Sequence, residues 1–388
     1  MDRRAFVRLV GGGVVMAAAA PLAGCSSAIP PEAVAAWAGP GDEPDLRRWI
    51  VAHAILAPHS HNLQSWLVDL RTPDEIVLRC DRQRLLPVTD PYSRQIMMSH
   101  GTFLELLVLA ARQRGQRAEV TLFPEGAFDE RSIDDRPVAR VRLVADASLT
   151  PDPLFAQVLA RRTNRNAYDP ARPVPAEAWR TLAAAMVLPQ TPAPLAFGQV
   201  GPDDATALAR HRAIASQAWK IEMTTPAAML ESFKVLRVGA REIAEHRDGV
   251  SLTSPMVVAM TKLGLFDRSQ APAPDSYATT SQLEDFDRKI ATTPGFLWIT
   301  SEGNARTTQV LAGRAYMRVQ LAGTALGLAM HPLQQALQEY PEQAGPYAEI
   351  HALLGAPRPG HTVQMWARVG YAEPVGPSPR RGLDAHLV

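Results

Sequence analysis

Residues 95–114 read QIMMSHGTFLELLVLAARQR, and residues 307–328 read TTQVLAGRAYMRVQLAGTALGL. The first run is apolar on nearly every face, through Ile96, Met97, Met98, Phe103, Leu104, Leu106, Leu107, Val108 and Leu109. Gly115 closes it, because glycine accepts the left-handed backbone of a helix C-terminus. The second run is also apolar on most faces, and its Gly313, Gly323 and Gly327 permit close approach of another helix. Helices without a broad polar face are buried on most sides, so the two runs predict a pair of long central helices.

Other elements stand around each helix in the same order. Ahead of 95–114 come a helix pattern from Leu46 to Leu56 and strand candidates at Trp66 to Leu70 and Glu75 to Cys80, joined by a turn at Thr72-Pro73-Asp74. Strands at Ala118 to Phe123 and Val138 to Val144 follow. After Pro151 a helix runs into Arg161, then come a helix from Ala176 to Met186, a strand near Leu195 to Val200, and strands at Phe296 to Thr300 and Thr362 to Val369 flanking the second long helix. The halves share element order without residue-level identity. The expectation is an α+β fold of two tandem halves, 45–150 and 151–388, with mixed or antiparallel sheets packed on the central helices. Residues 219–294 interrupt the second half as an insertion of lid character.

The 388 residues are 46% apolar, enough for a substantial core, and their formal net charge of +1 argues against nucleic acid, which needs a concentrated positive field. The N-terminus carries Arg3-Arg4 ahead of the apolar stretch Leu9 to Leu22, too short to span a bilayer, and ends at Leu22-Ala23-Gly24-Cys25. This pattern resembles a twin-arginine export signal over 1–24 with a lipobox. It predicts an exported cell-envelope or periplasmic lipoprotein, held to the membrane by lipid on Cys25, with residues 25–44 as a tether. Cys80 would then be the remaining cysteine, leaving no intramolecular disulfide.

Four polar stretches are candidates for chemistry. The loop His59-Ser60-His61-Asn62-Leu63-Gln64-Ser65-Trp66 offers a hydroxyl and two amides at alternating positions, neutral partners for carbonyls and ring nitrogens. Arg161-Arg162-Thr163-Asn164-Arg165 offers guanidinium and hydroxyl donors of the kind a phosphate monoester takes. Gly327-Leu328-Ala329-Met330-His331-Pro332-Leu333-Gln334 follows the second long helix, and Arg380-Arg381-Gly382-Leu383 ends the chain.

In this order the four stretches resemble the FMN-dependent nitroreductase-like superfamily, with His59 where that pattern has a serine and Ser65 where it has a proline. Asp90-Pro91-Tyr92-Ser93-Arg94 and the presence of both loop and arginines on one chain resemble its fused, two-half branch. The resemblance implies a nitroreductase fold and one FMN between the halves. Arg161, Arg162, Thr163, Arg165, Arg380 and Arg381 would hold phosphate and pyrimidine, Ser60, Asn62 and Gln64 another edge, and Pro332, Leu333 and Gln334 the ring. The second half has the arginines, but Leu188-Pro189-Gln190-Thr191-Pro192 lacks the Asn and Gln spacing, so one site is expected intact and its twin decayed. The chain would then be a monomer that mimics a dimer internally.

The implied reaction is two-electron reduction of a small acceptor, a nitroaromatic or quinone, from a donor the sequence does not name. No side chain stands out as a general acid or base, which suits flavin-borne chemistry. A flavin-storing lipoprotein without turnover is the competing reading, and a cofactor-free structural lipoprotein a third. His53, His59 and His61 have no Cys, Asp or Glu at metal-ligand spacing beside them, and no Gly-x-Ser-x-Gly elbow surrounds a serine.

Overall fold

The computed structural model describes residues 28–188 and 193–388; the expected leader and Cys25 lie outside these. Two four-stranded antiparallel sheets flank a pair of helices. The first sheet comprises β1 (Trp66–Asp69), β2 (Glu75–Cys80), β3 (Gln116–Leu122) and β4 (Ala139–Ala145), in the order β1-β2-β4-β3. The second comprises β5 (Leu195–Val200), β8 (Gly295–Glu302), β9 (Ala329–Pro332) and β10 (His361–Gly370), in the order β5-β8-β10-β9. Counted within its own half each sheet has the same topology, first-second-fourth-third. The expected α+β architecture and repeated element order are both present.

A helix precedes each sheet, α2 (Leu46–Ala54) in the first half and α4 (Ala176–Ala185) in the second. The side chain of Asp45 starts α2 by accepting from the backbone N–H groups of Arg47 and Arg48, a satisfied N-cap. The expected helix ahead of Arg161 is instead a short 3-10 segment, Pro153–Gln157, whose start Asp152 caps by accepting from the Leu154 N–H.

The central helices are α3 (Arg94–Gln113) and α10 (Arg306–Ala325). They cross at two glycines. A Cβ on Gly101 would lie 2.0 Å from the Val310 carbonyl oxygen, and one on Gly313 would lie 1.9 Å from that of Met98. The same sequence offset relates Gly101 to Gly313, Met98 to Val310 and Arg94 to Arg306, so the crossing is an internal pseudo-two-fold. Arg94 donates across it to the Leu337 carbonyl (2.7 Å), and Arg306 reaches back to those of Tyr92 (2.7 Å) and Asp129 (2.8 Å). A buried ion network also spans it: Glu105 pairs with Arg314 (2.9 Å) and Arg318 (3.0 Å), and Arg318 with Asp152 (3.0 Å).

The insertion leaves the second half where a tight turn joins the first two strands of the first half. It is a helical layer: α5 (Ala205–Thr224), α6 (Pro226–Lys234), α7 (Gly239–His246), α8 (Pro255–Lys262) and α9 (Tyr277–Ala291), with short parallel strands β6 (Leu236–Val238) and β7 (Val250–Leu252). Trp219 stacks on Phe286 at 4.8 Å between α5 and α9. Residues 219–294 are thus ordered helices that grip the first half. Glu231 accepts from the backbone N–H groups of Val88 and Thr89 at 2.8 Å, and Asp248 pairs with Arg84 and Arg237. The stretch expected as a tether is also folded from Pro31 on. α1 (Pro31–Val34) and the 3-10 turn Ala35–Ala38 dock on the body with Ala33 and Trp37 buried. The C-terminal tail returns to the first half, where Leu387 bridges Val68 in parallel.

Two outcomes follow from this packing. Gly313→Ala places a methyl group against backbone that has no side chain to move aside, and is expected to destabilise the protein by about 3 kcal/mol, read as a lower urea midpoint at unchanged slope. Glu222, 3% exposed on α5, accepts from Gln338 at 3.0 Å, and burial raises its pKa from 4.5 to about 7. Between those pH values the native state keeps a proton that the unfolded chain has lost, so this contribution is full below about pH 4.5 and gone above pH 7. Glu222→Gln should remove on the order of 3 kcal/mol of that pH dependence, seen as a smaller fall in melting temperature between pH 5 and pH 8.5.

Candidate functional site

The loop between α2 and β1 turns sharply, with positive φ at His61 (47°), Asn62 (54°) and Gln64 (55°), a conformation that side chains tolerate only when their surroundings fix it. Those surroundings are the insertion and the tail. The Asn62 amide donates to the carbonyls of Gly249 (3.3 Å) and Pro379 (3.1 Å), and its oxygen accepts from Arg380. Gln64 is fully buried; its amide donates to the Arg247 carbonyl (2.9 Å) and its oxygen accepts from the Arg381 N–H (2.9 Å). Gln64 is therefore a structural lock with no free polar atom for a cofactor, a correction to the sequence expectation. Arg381 lies in the same lock: it donates to the Gln64 carbonyl and lies 3.2 Å from His386 Nδ1, while its Nε–H is buried without an acceptor. Ser60 is half-buried beside α3, its hydroxyl 3.4 Å from Gln95 Oε1.

Arg161, Arg162 and Arg380 come together around a side chain that sequence reasoning missed. Their guanidinium carbons lie 5.4, 4.3 and 5.3 Å from the Trp37 ring centre. Arg161 donates to the Leu56 carbonyl (3.0 Å) and Gln320 (3.3 Å), Arg162 to the carbonyls of Leu159 and Arg161 (2.8 Å each), and Arg380 to that of Ala57 (2.9 Å). Among the described residues none of the three has a carboxylate partner. The Nε–H groups of Arg161 and Arg380 are buried with no acceptor at all. Burial, with Arg162 adding repulsion, lowers the Arg161 pKa to about 10; burial and the charges of Arg161 and Arg162 hold that of Arg380 well below its ordinary value. Three cations of the second half converging against the first without an anion form a site that lacks its counter-charge.

Arg165 lies next to the cluster in the same segment. It keeps solvent-exposed surface, yet protein walls it closely enough that desolvation lowers its pKa. It faces His61 and His331, whose imidazoles stay neutral: burial, then Arg165, brings His61 to about 4, and burial with Arg368 and Arg165 holds His331 well below its usual range. The hydroxyl of Tyr316 on α10 and Oε1 of Gln334 are buried without partners. Thr163 and Pro332 are half-buried at the margin. Leu333 is not: it is 1% exposed, packed in the core with Trp366 and Phe296, which removes it from the ring-facing set.

At the offset that relates the central helices, Tyr316 and Gln320 correspond to Leu104 and Val108. The twin location holds a cavity of about 240 Å³, lined by Val108, Glu105, Arg112, Arg314, Arg318 and Asp152. Its buried arginines are matched by carboxylates within the protein. No group of His, Cys, Asp and Glu that could hold a metal occurs among the described residues.

No protein-family profile matches the chain. Proteins from two strains of Mycobacterium tuberculosis, provisionally named NAD(P)H nitroreductases, are each 27% identical to it over 348 residues, covering 87% of this chain and 89% of theirs. Among solved structures, an FMN-dependent nitroreductase from Mycobacterium smegmatis in complex with NADPH matches 60% of this chain and 96% of its own, at 20% identity and a TM-score of 0.37. A nitroreductase with bound FMN from Bacteroides fragilis matches 60% and 96% at 14% identity and a TM-score of 0.35.

Arg162 tests the missing counter-charge most directly, because its hydrogen bonds go only to carbonyls of its own turn. Arg162→Met should leave the melting temperature in anion-free buffer unchanged or raise it. In excess inorganic phosphate the wild type should gain about 1–3 kcal/mol, a rise of several degrees that the variant largely loses. Equal rises in both proteins would show that the cluster does not bind phosphate.

Proposed function

We propose that this chain is an FMN-dependent oxidoreductase of the nitroreductase type, with one flavin site between its two halves. The observation that carries the reading is the arginine cluster: Arg161, Arg162 and Arg380 converge without a carboxylate, and two of their donors are buried without acceptors. A phosphate monoester supplies both missing quantities, negative charge and several acceptor oxygens. The sequence similarity to proteins named NAD(P)H nitroreductases over most of the chain supports the same class.

The residues present fit FMN. Arg161, Arg162, Arg380 and the Thr163 hydroxyl would hold the phosphate, and Arg165 would place positive charge beside the pyrimidine edge. Ser60, the Tyr316 hydroxyl and Gln334 Oε1 are polar groups for the heteroaromatic rim, and the last two have no other partner. When bound, FMN supplies two-electron transfer at its N5, which is the cofactor's own chemistry. The protein's share is to orient the ring, to hold cationic charge where reduction adds negative charge, and to limit water with the insertion and tail. His61 and His331 present neutral imidazoles beside Arg165, so they add hydrogen-bonding groups without adding to the charge there. A small acceptor, a nitroaromatic or quinone, would approach on the side where Arg165 is exposed to solvent.

The single-site reading is supported by what stands at the twin position, Leu104 and Val108 on α3 and a self-neutralised ion network. With the helix crossing internal to the chain, a monomer supplies both sides of the site. The twin-arginine pattern and Cys25 motif support an exported lipoprotein that is loaded with FMN before translocation.

The chain, mixed with FMN and desalted, should be yellow with about one FMN per polypeptide, bleach on anaerobic titration with a reductant, and reoxidise with an added quinone. A yellow protein that ignores acceptors would make it a flavin store. A colourless one would overturn the proposal.

A further inference from the structure

The segment downstream of the expected lipidation site does more than link. Pro31–Ala38 forms a strap over the arginine cluster, and Trp37 is its point of contact, 7% exposed, with three guanidiniums around one indole. The strap is fastened to the tail that carries one of those arginines. Trp37 Nε1 donates to the Ser378 carbonyl at 2.8 Å, and the Arg380 N–H donates to the Ala33 carbonyl at 2.8 Å. Beside it a cavity of about 230 Å³ reaches Arg380 between the strap, α2 and the tail, lined also by Glu32, Glu43, Arg48 and Arg247. Glu43 is committed to Arg48 at 3.1 Å, and Glu32, though it lines the cavity, is exposed and forms no ion pair with Arg161, Arg162 or Arg380.

The negative face of an indole attracts guanidinium groups, but it carries no net charge and cannot replace an anion. It can hold three arginines in place while closing the compartment to water, which strengthens each of their interactions with a phosphate. Resting on the flavin reading above, we propose that Trp37 is a cofactor-retaining residue: it forms the outer wall of the phosphate compartment, so that FMN leaves only when the strap lifts from the tail. A phosphate held by three arginines behind a docked strap dissociates at the rate the strap opens. The retaining group is the aromatic face, because an aliphatic side chain of similar bulk fills the space but offers the guanidiniums nothing.

The test is the release of FMN from the loaded full-length chain, followed as the rise in free flavin fluorescence after dilution. Trp37→Phe and Trp37→Leu both keep an apolar side chain in the strap, and their melting curves are recorded alongside. The expected result is release about tenfold faster in Trp37→Leu, with Trp37→Phe within about threefold of the wild type. Hydrogen exchange gives a second measurement that needs no variant: FMN should slow exchange at the Arg380 amide, whose acceptor is in the strap. Equal release from all three proteins, or an Arg380 amide indifferent to FMN, would overturn the retaining role and leave the flavin reading intact. A wild type that takes up no FMN would overturn both, and is recognised before any variant is made.

Discussion

Two backbones in direct contact, Gly101 against Val310 and Gly313 against Met98, are the constraint on which the rest of the molecule depends. No side chain larger than hydrogen fits at either place, so α3 and α10 meet at a fixed distance and a fixed register. That register makes the halves equivalent, because each sheet is threaded around its own central helix in the same order. An internal two-fold of this kind creates two equivalent grooves between the halves. The sequence then decides, groove by groove, what each one can hold.

The grooves differ in charge accounting. In one, Glu105 and Asp152 answer Arg314 and Arg318 inside the protein, so the ions need nothing from outside. In the other, three arginines face carbonyl oxygens and an indole. Backbone carbonyls satisfy individual N–H groups but leave the net charge standing, and burying an unanswered cation costs several kcal/mol. A folded protein carries that cost where a ligand removes it. The lowered pKa values of Arg161, Arg380 and Arg165 are the same cost expressed as proton affinity.

Much of this was legible from residue order. The central helices, most strand positions and the repeat follow from hydrophobic periodicity, and the arginine cluster follows from Arg161-Arg162 and Arg380. Periodicity reports that a side chain is buried, not what it is buried against, and the misreadings share that cause. Gln64 was legible as a polar loop residue, but its partners Arg247 and Arg381 are far away in sequence. Pro332, Leu333 and Gln334 are adjacent in sequence, but the strand ends at Pro332 and the chain turns into helical geometry at Gln334, which separates their side chains. Leu333 accordingly faces the core and Gln334 does not. Trp37 lay in an Ala- and Pro-rich stretch whose composition reads as a linker. A lone tryptophan there was the available signal, since a spacer has no use for a large aromatic side chain.

Both ends of the described chain meet at the same place, so the site is complete only when both are docked. The tail leaves β10, crosses to the first half and ends beside β1, delivering Arg380 to Asn62 and Arg381 to Gln64 on the way. The insertion contributes as well, because the carbonyls of Arg247 and Gly249 fix the same loop. The strap bonds to the tail and packs Trp37, Val34 and Ala36 on the core of the first half. A site assembled from the first half, the second half, the insertion, the tail and the strap exists only in the fully folded chain. Its charge repulsion is therefore borne by the stability of the whole fold, the hydrophobic core and the glycine crossing included.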